Sequence, residues 1–287
     1  MSTIAPPPAA PSTVPGGPGA PGDAGGSGGP RASARVVAIL AIVLGVVLVA
    51  GALVTGVFSA VRAASQRTET LTTDATGIRS LDIDVAAADL TVAYGGDEVR
   101  LTVTGNASDW RLRRDGDGLT VTTERGWWGS WARFGESDVA VLTLPQSLER
   151  SGLDADLSLA AGTLQANGAF SALDLDLSAG SMDVSGSARS LEADVSAGRL
   201  VFDLADVGEA ELQLSAGAAN GELSGHAPRE VAIDVSAGRL DLTLPDEAYA
   251  VTPDVSAGEF TNRLSIDPTA GNSVSVNVSA GYVALRS

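Results

Sequence analysis

Carboxylates that recur at a fixed offset from a repeated glycine are the residues of this chain whose type and spacing point most directly to chemistry. Four residues before that glycine (Ala88 in the first copy) stand Asp84, Ser158, Asp176, Asp194, Gln213, Asp234, Asp254 and Asn277. Six residues before it stand Asp82, Asp156, Asp174, Glu192 and Glu211. If the copies stack in register, these positions become adjacent rows on one outward face. Like charges about 5 Å apart repel by roughly 0.8 kcal/mol even at the dielectric of water. Either solvent and salt screen that repulsion, or a divalent cation offsets it. Calcium favours clustered oxygen ligands, which makes Asp174, Asp176, Asp194, Asp234 and Asp254 the candidate metal ligands. The glycine-rich nonapeptide of calcium-binding β-rolls is absent, so a solvated acidic face is the favoured reading of the two.

A second cluster is aromatic. Gly126 to Phe134 reads GWWGSWARF and holds three of the four tryptophans. Such a loop could stack glycans or dip into a membrane interface, where Trp is favoured. It could equally plug the end of a hydrophobic core, and that reading is preferred. If the loop binds a ligand, Trp127, Trp128, Trp131 and Arg133 are the contacts. The serines of the repeats recur at every corner without a base beside them, so a corner hydrogen bond explains them better than nucleophilic chemistry. With no cysteine and His226 as the sole histidine, thiolate sites, disulfides, His-based zinc sites and a Ser-His-Asp triad are excluded or left little room. No catalytic residue and no organic cofactor site emerges, and the chain is expected not to be an enzyme.

The elements that position these residues come from a repeat. The phrase ends at Gly162, Gly180, Gly198, Gly217, Gly238, Gly258 and Gly281, most often as Asp-Val-Ser-Ala-Gly, and a degenerate first copy spans Ile83 to Ala88. From Gly162 the glycines are 18, 18, 19, 21, 20 and 23 residues apart. A period near twenty marks a solenoid. Aliphatic alternation on both sides of the phrase predicts strands with one face inward, while Ser-Ala-Gly supplies the small side chains and the positive-φ freedom of a tight corner. An antiparallel sandwich is disfavoured because hairpin turns do not recur between copies. The stretch Ala93 to Leu144 breaks the repeat. It carries strand patterns at Val99 to Thr104, Trp110 to Arg114, Leu119 to Thr123 and Asp138 to Pro145, with Asp115 to Gly118 as a hairpin turn. It is expected to be a hairpin insert capping the membrane-proximal end.

Upstream, Met1 to Pro30 is rich in Pro and Gly and too poor in apolar surface to fold. Val36 to Val61 is an uncharged run of twenty-six residues, long enough to span a bilayer and too long for a signal-peptide core. The predicted organisation is a disordered tail over 1–34, a transmembrane helix over 35–62, a linker over 63–77 and a β-domain over 78–287. Arg31 and Arg35 before the span balance Arg62 and Arg67 after it, so the positive-inside rule is tied. The long acidic body breaks the tie, giving a single-pass protein of the cell membrane with its amino terminus cytoplasmic and its β-domain extracellular. The lipid bilayer is then one partner. The formal net charge of −17 argues against nucleic acid. All 18 basic residues are Arg and none is Lys, a bias expected of a GC-rich, actinobacterial genome.

The recurrent phrases at Asp194 to Gly198, Asp234 to Gly238 and Asp254 to Gly258, with Thr143-Leu-Pro145 recurring as Thr243-Leu-Pro245, resemble the bacterial β-strand-repeat domains of unknown function known as "putative adhesin" domains. The resemblance covers roughly Ile78 to Arg286. It implies an all-β, single-sheet right-handed β-helix, and it implies no reaction. The functional expectation is a surface-exposed structural or interaction module that meets a surface ligand or an envelope protein. The alternative is an envelope-stress accessory or sensor acting through its cytoplasmic tail.

Overall fold

The computed structural model describes residues 67–123 and 138–287. Among them no helix is long and apolar enough to cross a membrane; the tail and the span expected at 36–61 lie outside the described residues. Strand alternation dominates everything else. In chain order the first strands are β1 (Arg67–Thr73), β2 (Ser80–Val85), β3 (Ala88–Tyr94), β4 (Val99–Gly105), β5 (Trp110–Asp115), β6 (Gly118–Thr123) and β7 (Asp138–Leu144). A six-residue helix, α1 (Gln146–Ser151), then leads into β8 (Leu153–Leu159) and the long β9 (Gly162–Leu177). The regular coils continue as β10 (Ser181–Ser187), β11 (Ser190–Val195), β12 (Arg199–Ala205), β13 (Glu209–Leu214), β14 (Ala218–Ser224), β15 (Glu230–Val235) and β16 (Arg239–Thr243). The chain ends with β17 (Ala248–Val255), β18 (Glu259–Asn262), β19 (Ser265–Ile266), β20 (Ser273–Val278) and β21 (Tyr282–Arg286).

Each coil contributes two strands, one before and one after the Ser-Ala-Gly corner, and the coils pair in parallel. One ladder runs β2, β8, β9, β11, β13, β15, and the other runs β3, β9, β10, β12, β14, β16. The first half of β9 lies in the second ladder and its last residues lie in the first, so hydrogen bonding joins both into one curled 21-stranded sheet. Parallel pairing of stacked coils is what the period near twenty predicts, and inward aliphatics are what the Leu/Val/Ile alternation predicts. Burial follows it strictly: Leu191, Ala193 and Val195 of β11, and Leu200, Phe202 and Leu204 of β12, are at most 2% exposed. The corners close through the backbone. Ala197 N donates to Ser178 O at 3.0 Å, Ala216 N to Ser196 O at 2.9 Å and Ala237 N to Ser215 O at 2.9 Å. The serines thus enter the corner ladder through their backbone, as donors and acceptors: Ser178 N, for one, donates to Leu159 O at 3.0 Å.

The insert behaves as the pattern predicts. β5 and β6 form an antiparallel hairpin with Asp115 opposite Gly118. β6 pairs with the outer edge of β2 and β7 with the outer edge of β3, so the first coil has no free edge. Trp110 is buried beneath this cap, with its Nε1 donating to Asp138 Oδ2 at 3.4 Å. Sheet structure also starts earlier than the sequence suggests. β1 lies inside the stretch expected as linker and pairs antiparallel with β4, Arg67 to Gly105 through Thr73 to Val99. Only Leu71 of this strand packs against the core, which is why its threonine-rich pattern carries no core signature.

The far end holds a second departure. β20 pairs with β15 on one side and β17 on the other, and β21 lies between β16 and β18. The last coil in sequence therefore occupies the slot between the two that precede it, and the corner glycines stack in the order Gly217, Gly238, Gly281, Gly258.

Inside the coils, Phe202 faces Gly221 in register. A Cβ on Gly221 would lie 2.0 Å from Phe202 Cζ, so the glycine makes room for the ring. Gly221→Leu is expected to lower the stability read from a urea midpoint by about 1–3 kcal/mol, the usual cost of overpacking. Shortening the ring in the same chain with Phe202→Ala is expected to recover most of that loss.

Candidate functional site

Among the described residues no charged side chain is buried, and the buried polar side-chain atoms belong to aromatic residues such as Tyr94, Trp110 and Tyr249, so any ionic site must lie on an outer face. The outward positions of the β2–β8–β9–β11–β13–β15 ladder are the most distinctive. Strand alternation places Asp82, Asp156, Asp174, Glu192 and Glu211 directly opposite one another on five successive strands. The row ends where Glu211 meets Ala232. The neighbouring row runs Asp84, Ser158, Asp176, Asp194, Gln213, Asp234, Asn277, Asp254. Along one edge Glu209 opposes Glu230 and accepts a bond from Arg229 Nη2 at 2.8 Å.

The arrangement relieves part of its own repulsion. Neutral donors are interleaved among the acids: Gln213 Nε2 donates to Glu211 Oε1 at 3.0 Å, and Asn277 Nδ2 to Asp234 Oδ2 at 2.9 Å. Because the last coil is displaced, Asn277 separates Asp234 from Asp254, two carboxylates that sequence order alone would make neighbours. The candidate metal ligands divide accordingly. Asp174 and Asp176 share β9, and Asp194 stands opposite Asp176, whereas Asp234 and Asp254 are each isolated by an amide. Among the described residues no group of three or more acidic or histidine side chains could hold a metal ion. Millimolar calcium and its chelation are accordingly expected to leave the melting temperature unchanged within about 1 °C, since a ligand stabilises only where it binds the folded state.

Electrostatic cost remains at the centre of the first row. Partial burial, and then the charges of Asp156, Glu192, Asp176 and Asp194, push the Asp174 carboxyl above its ordinary value. Burial, followed by Asp156 and Asp84, does the same to Asp82. A group that holds its proton more tightly when folded destabilises the fold above the ordinary carboxylate pKa, and ceases to do so below it. Asp174→Asn is therefore expected to raise the melting temperature at pH 7 by about 1–2 °C, a surface-sized effect. The gain should disappear as the pH falls below the ordinary carboxylate value of 3.8; thermal melts at both pH values test it.

Trp127, Trp128, Trp131 and Arg133 lie outside the described residues. A cleft of about 600 Å³ has no counterpart among the motifs of the sequence. It is lined by Asp74, Arg79, Ser147, Ser151, Asp154 and Ser171, which four separate segments bring together, so no local motif announces it. Asp74 there accepts bonds from Thr76 Oγ1 at 3.0 Å and Arg114 Nη1 at 2.9 Å, which hold its carboxyl below the ordinary value.

No family model matches the chain, and no curated protein matches it. Solved structures do show likeness. A "putative cell adhesion protein" from Clostridium sporogenes is 9% identical, with a TM-score of 0.30 over 77% of this chain and 99% of that one. A "putative adhesin" from Bacteroides fragilis is 14% identical, with a TM-score of 0.36 over 77% and 97%. A "putative lipid binding protein" from Parabacteroides distasonis is also 14% identical, with a TM-score of 0.40 over 77% and 97%.

Proposed function

We propose that this chain is a membrane-anchored interaction module whose β-domain stands outside the cell and presents its acidic face to a cationic surface ligand or envelope protein. The observation that carries this reading is the pairing of an interior without buried charges with outward rows of carboxylates on consecutive strands. Parallel ladders set the strands that carry successive carboxylates about 4.8 Å apart, so the backbone of the face is preorganised and a partner meets it without ordering that backbone. The role is recognition, with no reaction assigned. The uncharged run over 36–61 is the anchor, with Met1 to Pro30 on the cytoplasmic side.

The test is proteinase treatment of intact cells expressing the full chain, followed with an antibody to the β-domain. Digestion before lysis supports an external module. Protection until lysis, with an external control cleaved, would reverse the topology and remove the surface role. Deleting Met1 to Pro30 separates the alternative: loss of an envelope-stress response with surface binding intact would make the chain a sensor.

A further inference from the structure

The free end of the coils is built to stay unpaired. β17 is the last strand of its ladder. Ala250 N donates to Asn272 O at 2.8 Å and Ser256 N to Val278 O at 2.9 Å, with Ala250 to Val255 in parallel register with Ser273 to Val278. Strand alternation then turns the backbone groups of even-numbered residues toward β20 and those of Val251, position 253 and Val255 outward. Among the described residues nothing pairs with that outer edge beyond Ala248 and Tyr249, which meet β19. The apolar layer is open here as well. Val255 is 39% exposed, whereas Val235 and Val278, at the same position in the two coils beneath, are fully buried.

An unpaired edge beside an open apolar layer is a template for a second chain. The residue at the middle of this edge is Pro253. The same position holds Leu175, Ala193, Leu212, Ile233 and Val276 in other coils. Proline has no N–H, and here the missing N–H falls on the outer side, where β20 loses nothing. We propose that Pro253 is a stop residue that keeps this end of the β-domain from pairing with the same end of a second copy. An antiparallel approach centred on Pro253 would set the two prolines opposite each other, and both bonds of the central pair would be lost. Among the large apolar side chains of β17, Val255 is the exposed one, at 39%, and a charge there would bar approach by a separate route.

The test uses the full chain in detergent, with molar mass followed by size-exclusion chromatography and light scattering across a concentration series. Pro253→Val is expected to double the protein mass relative to wild type, increasingly so at higher concentration. Adding Val255→Lys to that variant is expected to return the wild-type mass. Pro253→Val at the wild-type mass, with its thermal melt retained, would overturn the proposal. So would an associated species that survives Val255→Lys. If Pro253→Val fails to fold, Pro253→Ala restores the N–H with the side chain that Ala193 supplies in another coil, and the same two outcomes decide.

Discussion

Deleting Ser273–Ser287 is expected to abolish cooperative folding of the β-domain. The segment buries Val274, Val276, Val278, Val283 and Leu285, each at most 2% exposed. Burial of such side chains is worth about 1.5–3 kcal/mol apiece. Together they approach the whole stability of an ordinary domain, about 5–15 kcal/mol. Losing a terminal coil from an ordinary solenoid only shortens the stack and exposes the coil beneath. Here the deletion opens a gap between β15–β16 and β17–β18, exposing two edges and two apolar layers at once. Circular dichroism and limited proteolysis of the shortened chain test this. A melt within a few degrees of wild type would show that β17–β18 closes onto β15–β16 without the intervening coil.

Gly180→Val is expected to be nearly as damaging, although it adds only three carbons. Gly180 has φ +101, and a Cβ there would lie 2.3 Å from Gly162 O and 2.8 Å from Gly162 N. Both contacts are backbone, so no rotamer relieves them. Positive φ for a β-branched residue costs of order 1–3 kcal/mol on its own, and the clash must also displace the corner above. A loss of at least about 3 kcal/mol in chemical denaturation is expected, within the range of severe single substitutions. Gly271→Ala is the control. Its added methyl meets nothing within 4 Å and its φ is not positive, so the denaturation midpoint should not move. Equal losses at the two positions would mean that the corner stack has no special role.

Much of this architecture was legible because each coil writes the same phrase. Alternation identified the strands, the glycines identified the corners, and a common offset from the glycine placed Asp82, Asp156, Asp174, Glu192 and Glu211 in one row. The turn at Asp115 to Gly118 revealed the hairpin. What stayed hidden was the neighbour of each coil. The phrases ending at Gly258 and Gly281 are nearly the same, and each fits against Gly238 equally well by local chemistry. The one available signal was spacing: the gap of 23 residues to Gly281 is the longest, and those extra residues let the chain step back across β17–β18. β1 was missed because a threonine-rich edge strand with one core-facing leucine does not carry the alternation of a buried one. The cleft around Asp74 and Ser171 was missed because tertiary structure alone assembles it.

The displaced coil also sets a timetable. Chains are synthesised amino terminus first, at about 5–20 residues per second, and a β-domain of simple stacked repeats could close coil upon coil as it emerged. This one cannot finish that way. When Gly258 and β18 have left the ribosome, the strands destined to sit beneath them do not yet exist. Either β17–β18 waits unpaired, or it first settles on β15–β16 and must later release that position. Ser273–Ser287 thus act as a completion signal: only a chain translated through them can fill the slot between β15–β16 and β17–β18, and one terminated before them is left with open edges that proteases can recognise.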